Sequence, residues 1–113
     1  MAFELQTPPA RIDYFMRSGL WPNRLVTDCL DAAIAAYPDR AAIVGYDSQA
    51  GVRVSFTYAE LGRFVDRVAL GLIETGIEPG DVVSVQLPSY WQFAVVHLAC
   101  VRIGAVTNPL MPI

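Results

Sequence analysis

The feature that most constrains the fold is a strand–helix–strand pattern within residues 82–108. Residues 82–87 and 105–108 are short valine-containing segments, and the apolar segment between them has the length of a helix. Ser89 and Gln92 have the spacing of a capping box before this helix, in which the glutamine side chain bonds back to the serine amide. Two strands joined in this way lie parallel in one sheet, with a right-handed crossover. The sequence therefore predicts the α/β fold class with a parallel βαβ unit.

Two apolar segments farther upstream flank a turn-rich loop. Residues 41–46 and 52–56 have the composition of strands, and the loop between them ends at Gly51. Strands joined by a glycine-containing loop of this length are typical of a β-hairpin. The fold prediction is therefore a β-hairpin followed by the parallel βαβ unit.

The helix between the hairpin and the βαβ unit has the clearest local signal. Thr57 and Glu60 form a capping-box pattern, in which each side chain can satisfy the other residue's amide. Apolar positions then recur with helical spacing, and Gly76 is suited to the left-handed position that ends a helix. An earlier helix is predicted to begin with Thr27 as its N-cap and to run to about Tyr37.

The first 24 residues are interrupted by prolines and a glycine, and no strand or helix period is visible in them. We predict that residues 1–24 form an irregular N-terminal arm that lies over another surface. Residues 25–113 are predicted to form the folded unit.

Composition bears on the partners and the location of the protein. The formal charge is −3, and the eight basic residues are all scattered arginines, so a nucleic-acid partner is not expected. The longest apolar segment, residues 93–101, is shorter than the ~20 residues that span a bilayer. The N-terminal sequence lacks the pattern of a secretory signal, so we expect a cytoplasmic protein with Cys29 and Cys100 as buried free thiols.

Several patterns could carry chemistry, but each has a simpler structural interpretation. His97 and Cys100 have a spacing that could supply two metal ligands, yet a structural zinc site needs about four and no second pair exists. Asp28 and Asp31 could act as an acid–base pair, but they also suit the positive end of a helix dipole. We favour the structural interpretation for both pairs.

Two further patterns also have a structural interpretation. The glycines of residues 71–76 have the spacing of a phosphate loop, but neither the following lysine nor the preceding strand is present. Tyr90 and Trp91 could stack on a ligand ring, although aromatic residues in such positions more often belong to a core or an interface.

The helix predicted between Tyr90 and Ile103 is apolar nearly all round. A helix of this kind is typical of the interior of a larger protein, and we do not expect the rest of this chain to cover it. A patch of several hundred Å² left uncovered would mark an interface. We therefore predict either additional polypeptide or self-association through the apolar surface near Trp91, with a homo-oligomer as the expected state.

Three segments are specific enough to compare with known families: residues 57–61 (TYAEL), residues 80–93 (GDVVSVQLPSYWQF) and residues 98–113 (LACVRIGAVTNPLMPI). Together they closely resemble the N-terminal portion of ATP-dependent acyl-CoA synthetases, which belong to the adenylate-forming, AMP-binding superfamily. Within it they are most similar to cyclohexanecarboxylate-CoA ligases and other short- to medium-chain acyl-CoA ligases. One departure is Ser89, which stands where the family often has asparagine.

The resemblance implies part of the large domain of an adenylate-forming enzyme, with residues 25–113 as a truncated N-terminal subdomain fragment of the AMP-binding domain. In the full-length enzyme a carboxylate would attack the α-phosphate of ATP, and the thiol of coenzyme A would then displace AMP, with Mg²⁺ neutralising phosphate charge. The family's phosphate loop, nucleotide contacts and catalytic lysine would follow Ile113. We therefore assign no catalytic, cofactor-binding or metal-binding residue to this chain, and we expect the fragment to be inactive by itself.

Two other functions stay open. The chain could be a stand-alone, non-catalytic interaction or dimerisation module derived from such a ligase. It could also be a small nucleotide-binding module that uses the βαβ unit without a phosphate loop.

Overall fold

The computed structural model describes residues 6–112. In chain order the elements are α1 (Pro9–Arg17), α2 (Val26–Ala36), β1 (Ala41–Asp47), β2 (Val52–Thr57), α3 (Tyr58–Glu74), β3 (Val82–Val85), α4 (Trp91–Ile103) and β4 (Val106–Pro109). The strands form two separate pairs, β1 with β2 and β3 with β4. The predicted α/β architecture of hairpin and βαβ unit is confirmed.

The hairpin is antiparallel, and its register closes where Asp47 faces Val52. The Asp47 carboxylate accepts hydrogen bonds from the amides of Gln49 and Ala50, each at 2.9 Å. Gly51 follows with a φ of +68°, in the left-handed region that favours glycine. These local interactions fix the turn and, through it, the register of the two strands.

The βαβ unit pairs β3 and β4 in parallel, from Val82 opposite Val106 to Val85 opposite Pro109. Beyond the end of the ladder, the Leu110 amide still donates to the Val85 carbonyl at 2.9 Å. Helix α4 connects the two strands and packs on β4 and on α3. The predicted crossover unit is therefore present with the predicted strand direction.

Gly104 ends α4 and brings two loops into close contact. Its φ of +76° is left-handed, and the Ala105 amide donates back to the Cys100 carbonyl at 2.9 Å. The Gly104 carbonyl accepts from the Gly80 amide at 2.8 Å. A β-carbon at Gly104 would lie 3.3 Å from the Pro79 Cβ, so a larger residue would be both strained and crowded here.

The core lies between three helices. Its buried residues come from α2, α3 and α4: Leu30, Leu61, Val65, Ala69, Val95 and Ala99. Burying one valine or leucine side chain contributes about 1.5–3 kcal/mol. Gly62 allows α2 to come close to α3, because a β-carbon at Gly62 would lie only 2.5 Å from the Ile34 Cδ1.

The N-terminal arm is not irregular throughout, and this part of the prediction is wrong. Residues Pro9–Arg17 form α1, a helix with no buried residue. Proline is compatible with the first helical turn because the amide it lacks has no partner there. An ion pair between Asp13 and Arg17, four residues apart, adds local support. The predicted boundary between residues 24 and 25 stays a prediction.

The capping box at the start of α3 is confirmed. The Glu60 amide donates to the Thr57 hydroxyl oxygen at 3.2 Å, and the Thr57 amide donates to the Glu60 carboxylate at 2.8 Å. The hydrogen bonds from the Thr57 amide and hydroxyl lower the pKa of Glu60. The stabilisation from the hydrogen bonds that the ionised Glu60 carboxylate accepts is therefore fully present above the ordinary glutamate pKa of about 4.3. It is lost as the pH falls through the lower pKa of Glu60 in the folded protein.

Two other predicted caps are wrong. Helix α2 begins at Val26, and its first turn is capped by Asp28, whose carboxylate accepts from the Leu25 amide at 2.8 Å. Thr27 is instead buried inside the helix packing. Helix α4 begins at Trp91 without a side-chain cap, because a turn at Pro88–Tyr90 delays the start of the helix beyond Ser89.

We expect Thr57→Ala to lower the free energy of unfolding by about 1 kcal/mol, because the Glu60 amide loses its acceptor. Urea unfolding followed by circular dichroism measures the change. Ser55→Ala is the matched control, since it removes an exposed hydroxyl from the same strand and should change stability by less than about 0.5 kcal/mol. Equal losses in the two variants would contradict a specific role for the cap.

Candidate functional site

A concave feature of the βαβ unit lies at the carboxyl ends of β3 and β4. The segments that follow these ends and the first turn of α4 line a crevice of about 360 Å³. The lining residues are Leu87, Pro88, Ser89, Tyr90, Phe93, Ala94, Pro109 and Leu110. In parallel α/β sheets, ligands bind at this end of the strands, so the crevice is the candidate site.

The crevice is lined mainly by apolar side chains. Ser89 and Tyr90 are the polar lining residues, and no charged residue of the described chain lines it. The Tyr90 hydroxyl lies 3.0 Å from the Ser48 hydroxyl oxygen and shares a hydrogen bond with it, which ties the hairpin turn to the start of α4. The arrangement can accommodate an apolar group, but its lining includes no carboxylate, histidine or arginine side chain.

Trp91 does not line the crevice. Its ring centroid lies 4.8 Å from that of Phe56 and 5.6 Å from that of Phe64, so the three rings form an aromatic cluster between the hairpin, α3 and α4. Trp91 is half-buried and packs against the core. The surface near Trp91 is thus covered in part by the chain's own aromatic residues, which the sequence analysis did not expect. Self-association itself stays a prediction.

His97 and Cys100 face different environments despite their helical spacing. The His97 Nδ1 lies 3.0 Å from the Thr107 hydroxyl oxygen, and the ring is exposed. Cys100 is fully buried. Within residues 6–112, no group of three or more histidine, cysteine or acidic side chains is placed to hold a metal ion.

The two cysteines differ in accessibility. Both are free thiols, and Cys100 is buried as predicted. Cys29 is exposed, which contradicts the prediction that it is buried. It lies on the outward face of α2, while Leu30 of the same helix points into the core.

Asp28 and Asp31 do not act as a pair. Asp28 caps α2, whereas Asp31 accepts two hydrogen bonds from the Arg102 guanidinium on α4, at 2.7 and 3.1 Å. The Arg102 Nε also lies 3.2 Å from an Asp66 carboxylate oxygen, outside hydrogen-bond geometry. The bonds from Arg102 lower the pKa of Asp31. Sequence reasoning missed this network, although a lone arginine in an apolar helix signals a charged partner.

The glycine-spaced segment at residues 71–76 is the end of a helix. Gly71 lies inside α3, and Gly76 follows the helix with a φ of +92°. The Ile77 amide then donates to the Leu72 carbonyl at 3.1 Å, which closes the last turn. The segment therefore has no phosphate-loop geometry. None of the helices in residues 6–112 has the length and apolarity needed to cross a bilayer.

Comparison with known families is consistent with this architecture. Residues 30–113 match the family model described as AMP-binding enzyme. The chain belongs to this family. The matched residues include both strand pairs and the helices α3 and α4.

The curated relatives are much longer than this chain. It is 36% identical over 98 residues to the medium-chain fatty-acid–CoA ligase of Escherichia coli (strain K12), a match covering 87% of the chain and 16% of the relative. It is also 36% identical over 105 residues to the salicyl-AMP ligase / salicyl-S-ArCP synthetase of Mycobacterium tuberculosis (strain ATCC 25618 / H37Rv), covering 93% and 18%. The chain therefore spans less than one fifth of the length of these relatives.

Solved structures agree with the fold. The apo structure of Mycobacterium smegmatis MbtA matches with a TM-score of 0.76 and 37% identity, covering 94% of this chain and 19% of that one. The N-terminal subdomain of Klebsiella oxytoca NpsA matches with a TM-score of 0.68 and 27% identity, covering 78% and 22%. The hairpin and the parallel strand pair thus match the N-terminal domain of adenylate-forming enzymes.

The accessibility of the two cysteines predicts their reactivity. We expect one thiol per chain to react rapidly with Ellman's reagent under native conditions and two to react in denaturant, because burial protects Cys100. Cys29→Ser should abolish the rapid reaction while leaving the second thiol titratable in denaturant. Two equally rapid thiols in the native protein would contradict the structure.

The ion pair between Arg102 and Asp31 predicts a coupling free energy between the two residues that is lost in acid. In a double-mutant cycle with Arg102→Met and Asp31→Asn, we expect a coupling of about 0.5–1 kcal/mol at neutral pH, since the pair is partly exposed. Because the folded pKa of Asp31 is lowered, the coupling is present above about pH 3.9 and declines as the pH falls through the folded value. The matched cycle with Asp66→Asn should give a smaller coupling, and the reverse order would contradict the geometry.

Proposed function

We propose that this chain supplies the N-terminal scaffold of an ATP-dependent ligase that activates a carboxylic acid as its adenylate and then forms a thioester with coenzyme A. As a chain of these residues alone, it is catalytically inactive. The observation that carries the proposal is the family match over residues 30–113, taken with the coverage of less than one fifth of the relatives' length.

The charged residues of the chain support its proposed catalytic inactivity. Attack of a carboxylate on a phosphate needs preorganised positive charge around the phosphate oxygens. The chain contains no lysine, and Arg102 is occupied by Asp31 and Asp66. Within residues 6–112, the acidic side chains form no group of three or more that could hold Mg²⁺. These residues are therefore assigned no catalytic step.

The substrate class follows from the resemblance and the relatives. Residues 80–93 and 98–113 favour a short- to medium-chain or cyclic carboxylic acid, and the proposed acceptor is coenzyme A. The relative named as a medium-chain fatty-acid–CoA ligase supports this choice. The relative named as a salicyl-AMP ligase makes an aryl acid the alternative. We retain the cytoplasm as the proposed location.

A second candidate function is a non-catalytic interaction module. It is favoured by the apolar side chains that the chain leaves exposed on α3, among them Leu70 and Ile73. An interaction module and a ligase scaffold are compatible, since neither needs a reactive group from this chain.

We expect the purified 113-residue chain to give no acid-dependent exchange of pyrophosphate into ATP with acetate, octanoate, cyclohexanecarboxylate or salicylate. Calorimetric titration with ATP, AMP or coenzyme A should give no binding heat. The E. coli medium-chain ligase is the active control, and circular dichroism confirms that the tested chain is folded. Acid-dependent exchange, or saturable nucleotide binding at micromolar concentration, would refute the assignment as an inactive scaffold.

A further inference from the structure

The described part of the N-terminal arm, residues 6–24, folds on itself rather than on the rest of the chain. Phe15 stacks on Trp21 with ring centroids 5.0 Å apart, and Arg11 lies over the Phe15 ring. Helix α1 has no buried residue, and Tyr14 and Leu20 are each 64% exposed. This part of the arm thus presents apolar side chains that the described chain does not cover.

The shape of the chain agrees with an arm that stands away from the core. The radius of gyration is 16.3 Å, and the principal extents are 51, 35 and 27 Å. A compact domain of this length has a radius of gyration of about 13 Å. The larger observed value indicates an extended molecule.

A second uncovered apolar surface is a groove between the C-terminal halves of α3 and α4. It has a volume of about 410 Å³ and is lined by Asp66, Ala69, Leu70, Ile73, Arg102 and Ile103. Leu70 is 60% exposed and Ile73 is 52% exposed. None of the lining residues belongs to the described part of the arm, so residues 6–24 do not fill this groove.

The arm and the groove have complementary charge. Residues 6–24 contain three arginines and one aspartate. At one end of the groove, Arg102 forms ion pairs with the carboxylates of Asp31 and Asp66. Two acidic groups paired with one basic group leave this rim negative, whereas residues 6–24 are positive. Such complementarity favours docking of the arm here over docking on a neutral apolar surface.

We propose that the N-terminal arm of one chain docks in the α3–α4 groove of a second copy, and that reciprocal exchange of arms produces a two-fold dimer. Exchange of an identical element between copies is a low-cost route to a dimer, because both interfaces form from surfaces that each chain already has. Segment 22–24 acts as the hinge, and Asn23 within it has a left-handed φ of +47°. The apolar side chains of the arm and of the groove are covered in the same step.

The wild-type chain tests the proposal first. Sedimentation equilibrium over a range of concentrations should show a monomer–dimer equilibrium. The dissociation constant should rise with sodium chloride, because salt screens attraction between the arm and the rim. A chain that stays monomeric, or a dimer that salt leaves unchanged or strengthens, would overturn the proposal.

Two variants locate the contact. Leu20→Glu in the arm and Ile73→Glu in the groove should each raise the dimer dissociation constant roughly ten- to a hundredfold, as expected for loss of one buried apolar side chain. Val44→Glu is the matched control, because Val44 is 54% exposed on β1, away from both surfaces. Its dimer should have the wild-type dissociation constant. Unimpaired dimers of Leu20→Glu or Ile73→Glu would contradict the assigned contact.

Mixing the two variants tests whether the arm and the groove contact each other. In an equimolar mixture, the intact arm of Ile73→Glu can dock in the intact groove of Leu20→Glu. We therefore expect the mixture to form heterodimers more tightly than either variant forms homodimers. Thermal unfolding with wild-type midpoints establishes that both variants are folded, and a mixture of such folded variants that fails to associate would overturn the proposed arm exchange.

Discussion

The contact between α3 and α4 holds the rest of the structure together. Val65 of α3 and Ala99 of α4 are completely buried in it. Each helix is also tied to one strand pair: α3 continues directly from β2, and α4 connects β3 to β4. A two-stranded sheet is marginally stable by itself, so both strand pairs depend on the packing of the helices that carry them.

Local signals predicted the elements of this fold but not all of their boundaries. The Thr57–Glu60 capping box forms because the strand before it runs straight into the helix. The similar pattern at Ser89 and Gln92 does not form, because the turn after Pro88 places the helix start one residue later than a Ser89 cap would. A capping pattern shows that the side chains are able to bond to the backbone amides of the first turn. The path of the preceding chain decides whether those side chains lie within hydrogen-bond distance of the amides.

The sequence could not predict the contacts between residues that lie far apart along the chain. The partners Asp31 and Arg102 are 71 residues apart, and the crevice combines residues that follow two different strands. Likewise, the helical period showed that Trp91 is part of an apolar helix, but it could not show that Phe56 and Phe64 would cover its ring. Spacing within one element carries no information about which other element packs against it.

The charges and the apolar surfaces of this chain have separate consequences for function. Charged groups such as Glu60, Asp31 and Arg102 satisfy internal partners, which leaves them unsuited to bind a nucleotide. The unsatisfied surfaces are apolar, and they include Val82 on β3 and Leu110 beyond β4. Parallel sheets are normally covered on both faces. The described residues therefore favour contact with other polypeptide through these apolar surfaces.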